Sequence, residues 1–305
     1  MMTIKKPYGL IAGLIVIVAV VAGLGMSSHN NASTKGKIEI VAGENFWGSL
    51  ASQLGGSRAH VTSIVSDPNA DPHEYESNTT TARQFSSAKY VILNGAGYDS
   101  WADKLLAASS PPDRKVLRVS DLLGKKDGDN PHFWYDPAYV NQVVAHMDSD
   151  LIAVDPSGAS YYKQQLKNLQ ASLATYQNHI NEIKQRFAGT KVAATEDIFV
   201  YLADASGLDL VSPPAFIEAV AEGNDPPTAS VVTFQQQVES GQIKVLVYNQ
   251  QTITPLTENV KKMATQHGIP IVGITETLQP PNAKFQDWMN SELTTLENAL
   301  NGQAG

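Results

Sequence analysis

From residue 37 onward, short apolar runs alternate with amphipathic segments of helical period. Runs at 38–42, 61–65, 90–93 and 116–119 read as strands, and 46–54 and 80–88 read as helices. The same rhythm returns with strands at 191–194, 208–211, 245–248 and 271–274 and helices at 198–205, 231–240 and 256–267. Strands separated by helices of about 10–15 residues make βαβ units, so each half predicts a mainly parallel sheet. Gly207, Gly241 and Gly268 stand where helix stops belong. Between the halves, Ala159, Tyr162, Leu166, Leu169, Leu173, Tyr176, Ile180, Ile183 and Phe187 alternate steps of three and four. That is one apolar stripe on a long helix, about 48 Å if it runs from 156 to 187. Tyrosines and an alanine suit a coiled-coil seam less well than a helix lying along two lobes. The expected fold class is therefore α/β: two doubly wound lobes with mainly parallel sheets, at 37–155 and 189–305, bridged by one long helix at 156–188.

The first 36 residues break this pattern. Lys5 and Lys6 precede an uncharged stretch, 7–31, whose densest apolar part is 10–26, and a polar linker follows. A basic start before such a run predicts an export signal or a membrane anchor. The expected location is outside the cytoplasm, either secreted or held at the cell surface. Hydrophobic residues make up 42% and charged residues 17% of the chain, which fits a folded protein. Three of the 22 Lys and Arg but none of the 30 acids lie before residue 37, so the remainder carries 19 against 30, a net −11. A body that acidic is a poor partner for nucleic acid, whose binding rests on cationic side chains.

There is no cysteine. Disulfides, thiolate metal sites, cysteine nucleophiles and a lipid-modified cysteine are thereby excluded, and any metal must be held by histidine and carboxylate. No HExxH helix, Walker A loop, GxSxG elbow or GxGxxG turn occurs, and Gly95-Ala96-Gly97 reads as an ordinary loop after a strand. Two histidines differ from the rest. His73 follows Pro72 in a turn-rich loop after the 61–65 strand, and His132 follows Pro131 after the 116–119 strand. Ligands of open α/β sheets bind outside the carboxyl ends of strands, where both loops fall. A lone loop histidine is commonly bonded to backbone; two Pro-His pairs on post-strand loops make ligation an equal reading. Glu196 and Glu276 also follow strands, though a helix N-terminus or a solvated loop accounts for either one alone. His29, His60, His146, His179 and His267 read as structural or exposed.

Taken together, Asp71-Pro72-His73-Glu74-Tyr75-Glu76 and Asn130-Pro131-His132-Phe133-Trp134-Tyr135-Asp136-Pro137 resemble segments of the metal-binding solute receptors of ABC importers. The long helix, the run from Thr195 to Leu202 and Ile274-Thr275-Glu276-Thr277-Leu278 support the resemblance, which extends over about 38–300. It implies two lobes with the metal in the cleft between them. It also implies His73 and His132 as N-lobe ligands, Glu196 as the third and Glu276 near the fourth place, where relatives often have Asp. Asp197 and Asp209 are the alternatives for that place. Asn130 stands where Asp is usual, and the His-rich loop of some zinc receptors is missing between Asp99 and Asn130.

The expected function is capture of a divalent transition-metal ion and its delivery to an ABC-type membrane permease by a monomeric, non-enzymatic receptor. Two imidazoles and two carboxylates close a shell without an open position, which suits capture rather than hydrolysis. The set accommodates Mn2+, Zn2+ or Fe2+ as transported ligand; its oxygen-rich half leans towards manganese. The alternatives are an exported metallohydrolase, with Glu74, Glu76 or Asp197 as base, and a metal-binding surface adhesin. Tyr75, Trp134 and Asp136 are candidates for supporting the ligands.

Overall fold

In a computed structural model, residues 36–69 and 72–303 are described; the N-terminal apolar segment lies outside them. The N-terminal lobe runs β1 (Ile38–Glu44), α1 (Asn45–Gly55), β2 (Ala59–Val65), α2 (Thr79–Ser87), β3 (Tyr90–Leu93), α3 (Trp101–Ala108), β4 (Lys115–Arg118), α4 (Val119–Leu122) and α5 (Pro137–Val154). Helix α6 (Ala159–Phe187) then leads to the second lobe. That lobe contains β5 (Lys191–Ala194), α7 (Val200–Ser206), β6 (Asp209–Leu210), α8 (Pro214–Ala221), α9 (Thr228–Glu239), β7 (Leu246–Asn249), α10 (Pro255–Gln266), β8 (Ile271–Ile274) and α11 (Phe285–Leu300).

Each lobe holds a four-stranded sheet, in the orders β2-β1-β3-β4 and β6-β5-β7-β8, and every pairing is parallel. In both sheets the connections leave the first strand in opposite directions, which opens a crevice at the carboxyl ends of β1 and β3 and of β5 and β7. The sheets thus match the α/β class expected from the pattern. Two strands differ in extent. Val119 opens α4 instead of closing β4. The 208–211 run shrinks to Asp209–Leu210 because the Ser212 hydroxyl takes over the edge: it accepts from the Ala194 N–H at 2.8 Å and donates to the Ala194 carbonyl at 2.9 Å. At the end of α7, Gly207 adopts φ 66°, a left-handed stop that only glycine takes without strain.

Helix α6 has 29 residues, about 44 Å by its rise. It starts at 159 because Pro156–Gly158 form a 3-10 turn. Tyr162, Leu169, Leu173, Tyr176, Ile180 and Ile183 of the apolar stripe are buried. They pack against α1 and α5 of the first lobe and α11 of the second. Burying six such side chains contributes on the order of 10 kcal/mol relative to leaving them in water. One hydrophobic core containing Trp47, Trp134 and Trp288 runs through both lobes and α6, so the lobes are fastened along their backs. Polar ties add to this at the cleft: Asn45 Oδ1 accepts from the Leu278 N–H at 3.1 Å, and Tyr135 OH lies 2.8 Å from both the Thr275 carbonyl and Glu292 Oε2. Burial pushes Glu292 up to about 8 despite its hydrogen bonds to Tyr135 and Thr275. Among the described residues no helix is long and apolar enough to cross a membrane.

Candidate metal centre

Six strands deliver side chains to one place between the lobes. After β2, His73 sits in a 3-10 turn, Pro72–Glu74, with its side chain 31% exposed. The turn is pinned by Tyr75, whose hydroxyl lies 2.7 Å from Thr81 Oγ1 at the start of α2. After β3, the Gly95-Ala96-Gly97 loop has φ of 77°, 55° and 87°. These left-handed residues reverse the chain and bring Tyr98 to the cleft, where its hydroxyl donates to Glu276 Oε2 at 2.6 Å.

His132 comes from the loop after β4 and is fully buried. Its orientation follows from Asn130. Asn130 Oδ1 accepts from the His132 backbone N–H at 2.9 Å, and Asn130 Nδ2 donates to the Asp197 carbonyl at 2.7 Å, which settles the amide's direction. The same Oδ1 lies 2.9 Å from His132 Nδ1 and can only accept, so Nδ1 carries the proton. Nε2 is left with its lone pair, buried and without a hydrogen-bond partner, 4.0 Å from Glu276 Oε2. Asp197 Oδ1 is 3.2 Å from Nδ1 but makes no hydrogen bond, because the N–H points at Asn130; it is an electrostatic neighbour only. Trp134 packs edge-on to His132, at 5.2 Å, and stacks on Phe46, at 4.0 Å, which holds the ring plane.

The second lobe supplies the acids. Glu276, after β8, is fully buried; its backbone N–H donates to Gln251 Oε1 at 2.7 Å and its Oε2 lies 3.3 Å from His73 Nε2. Burial alone pushes this carboxyl up, but the hydrogen bond from His73, the charge that His73 and His132 carry when protonated and the Tyr98 hydroxyl outweigh it and hold Glu276 at about 2. Glu196, after β5, is 1% exposed and accepts from Asn249 Nδ2 at Oε1, 2.7 Å away, while Oε2 has no partner. Burial, then the charge of Glu276, pushes Glu196 well above the usual carboxyl range. The centre therefore favours one carboxylate and one carboxylic acid. A cavity of about 540 Å³, lined by His73, His132, Asn130, Asp197 and residues of α8, leads in from solvent.

Ligand atoms of His73, His132 and Glu276 lie within 4.8 Å of one another. Glu196 stands outside that set and is joined to Glu276 through Asn249, whose Nδ2 also lies 2.6 Å from Glu276 Oε1. Asp209 is an exposed edge-strand residue paired with Lys191, and Asp136 caps α5 through the N–H groups of Ala138 and Tyr139. His60, His146 and His179 pair with Glu39, Asp150 and Glu297 away from this place. Sequence reasoning missed Tyr98, Asn249 and Gln251. The signal for Tyr98 was the glycine loop read as ordinary; Asn249 closes β7 and Gln251 follows it, near the strand end where the recognised candidates lie. Buried lone pairs of His132 and Glu196, with a carboxylate between two imidazoles, form a donor set for a cation and offer nothing to an anion.

Two parallel α/β lobes that share one core, with imidazoles on one wall of the cleft and carboxyl groups on the other, define the class: a solute receptor for a divalent cation. The family model of the periplasmic component A of the zinc-uptake complex (ZnuA) matches residues 40–299. The chain belongs to that family, which is one of binding proteins and not of enzymes. It is 28% identical over 207 residues to a manganese-binding lipoprotein, MntA, of Halalkalibacterium halodurans, covering 65% of this chain and 67% of that one. It is 24% identical over 220 residues to the manganese ABC transporter substrate-binding lipoprotein PsaA of Streptococcus anginosus, covering 67% and 70%. The periplasmic zinc-binding protein TroA of Treponema pallidum shares the fold, with a TM-score of 0.73 at 13% identity over 88% of this chain and 100% of that one.

Proposed function

We propose that the protein works outside the cytoplasm, captures one divalent transition-metal ion between its lobes and hands it to an ABC-type permease. His73, His132, Glu196 and Glu276 are the proposed ligands, with lobes at 37–155 and 189–305 on either side of the 156–188 helix. The observation that carries this reading is the oriented lone pair of His132 Nε2, buried 4.0 Å from Glu276 Oε2 with no protein partner. A buried lone pair left open in a polar cleft costs stability unless something fills it, and family membership says what class of solute fills it. The donor set takes manganese, zinc or iron; Irving–Williams order places zinc above manganese where both compete. The protein acts as a monomer, catalyses no reaction, and reaches the cell surface through its N-terminal apolar segment without a lipidated cysteine. Elemental analysis with calorimetric titration of Zn2+ and Mn2+ tests the reading. One tightly held ion per chain is expected, with binding weakened in His73→Ala, His132→Ala, Glu196→Ala and Glu276→Ala. Failure of the unsubstituted protein to bind any of these ions overturns it.

A further inference from the structure

Asn249, at the end of β7 and 1% exposed, has an amide whose direction is fixed. Its Oδ1 accepts from the Gln251 backbone N–H at 2.9 Å, so Nδ2 faces the acids. Nδ2 lies 2.7 Å from Glu196 Oε1 and 2.6 Å from Glu276 Oε1, with Thr252 Oγ1 at 3.0 Å. Its two hydrogens are thus committed to one oxygen of each carboxyl group. Gln251 reinforces the arrangement by accepting from the N–H groups of Glu276 and Thr277 at 2.7 and 3.1 Å. Glu196 Oε2 has no partner, and Glu276 Oε2 is the atom turned towards both histidines.

We propose that Asn249 is a positioning residue that makes both carboxylates one-oxygen donors, and so biases the centre towards a four-coordinate ion, zinc ahead of manganese. The inference rests on the metal-receptor reading above and adds to it a determinant of selectivity. The arithmetic is short. Each imidazole gives one nitrogen, and with both Oε1 atoms engaged by Asn249 each carboxylate gives one oxygen, for four donors. With both carboxylates released to chelate, the same residues give six. Zinc is at home in four-coordinate tetrahedral sites, whereas manganese takes six oxygen-rich donors in octahedral ones. To chelate, a carboxylate must give up its charge-assisted hydrogen bond from Asn249, whose freed N–H is left with the weaker, neutral acceptor Thr252 Oγ1 at 3.0 Å. The oxygen content of the donor set leans towards manganese; the amide between the acids acts in the opposite direction.

The test uses the full protein with Co2+ as a spectroscopic probe, and Zn2+ and Mn2+ titrations in parallel. The unsubstituted protein should give the intense visible absorption of four-coordinate cobalt. Asn249→Ala, and Asn249→Leu as a variant of similar size without a donor, should give weaker bands of higher coordination. In both, the ratio of zinc to manganese affinity should fall by about tenfold or more, a factor that corresponds to losing one modest hydrogen bond. A purely structural role would weaken both metals alike and leave ratio and spectrum unchanged, and that result overturns the proposal. So does a weak, six-coordinate cobalt spectrum from the unsubstituted protein, a measurement that needs no variant to fold. Absence of any binding of the three ions by the unsubstituted protein brings down the receptor reading itself; metal binding with an unaltered ratio brings down only the role of Asn249.

Discussion

Glu44 and Asp99 in the first lobe, and Glu196 and Glu276 in the second, are both pairs of carboxyl groups removed from water. Glu44 closes β1, and Glu196 follows β5, the strand in the equivalent place of the second sheet. An asparagine stands at the end of the neighbouring strand in each lobe, Asn94 after β3 and Asn249 in β7. The uses differ. Asp99 spends its oxygens on the N–H groups of Asn94, at 2.6 Å, and Gly95, at 2.9 Å, and serves the loop that carries Tyr98. Burial, then the charge of Asp99, pushes Glu44 up, and neither of its oxygens has a hydrogen-bond partner. Asn94 accepts from the Trp47 indole at 3.0 Å and donates to the Pro131 carbonyl at 2.9 Å, steadying the loop of His132. Asn249 is turned instead to the acids themselves, and two imidazoles face them across the cleft. Buried acidity is common to both lobes; what sets the second pair apart, on the proposed reading, is two imidazoles on the opposite wall and an open cavity.

The comparison breaks most sharply at the ligands. Removing His132 or Glu276 by alanine should lower metal affinity by about a hundredfold or more, about 2.7 kcal/mol, as read by competitive titration. Retention of full affinity in either variant would remove that residue from the centre. Asn130→Ala, which frees His132 to change tautomer, should cost about tenfold to a hundredfold with the apo melting temperature little altered. An affinity loss matched by an equal loss of stability would instead mark Asn130 as a packing residue.

Acidification comes next. Glu196 is pushed up and holds a proton that an incoming ion must displace, whereas Glu276, held at about 2, has none to give above that pH. Affinity should therefore fall on acidification, with proton release on binding. Glu196→Gln should reduce the protons released, measured by calorimetry in buffers of different ionisation enthalpy. Identical release in both proteins would show that Glu196 is already ionised.

The smallest effect belongs to the other pair. The raised pKa of Glu44 gives stability that is complete below the usual 4.5 and is lost as pH rises towards the folded value. Glu44→Gln is uncharged at every pH. It should leave metal affinity unchanged and gain about 1 kcal/mol of stability at mildly alkaline pH. A melting temperature with the same pH slope in both proteins would argue against a raised Glu44.

Much of this was legible in the sequence. Short apolar runs and a nine-position stripe gave the strands and α6 because both patterns are local consequences of which faces meet the core. His73 and His132 were visible because a Pro-His pair after a strand is a contiguous signal. The N-terminal run was equally legible, but it lies outside the described residues. What the sequence alone determined was the two-lobed parallel architecture and the chemical kind of donor, since the absence of cysteine leaves only nitrogen and oxygen. Tertiary structure decided the rest. It brought Tyr98 to Glu276 across 178 positions and Asn249 between two acids 80 positions apart. It also set Glu276 low and Glu196 high, though both are glutamates following parallel strands. Their proton affinities depend on which neighbours share a buried site, and in that environment a few ångströms to an imidazole outweigh residue type.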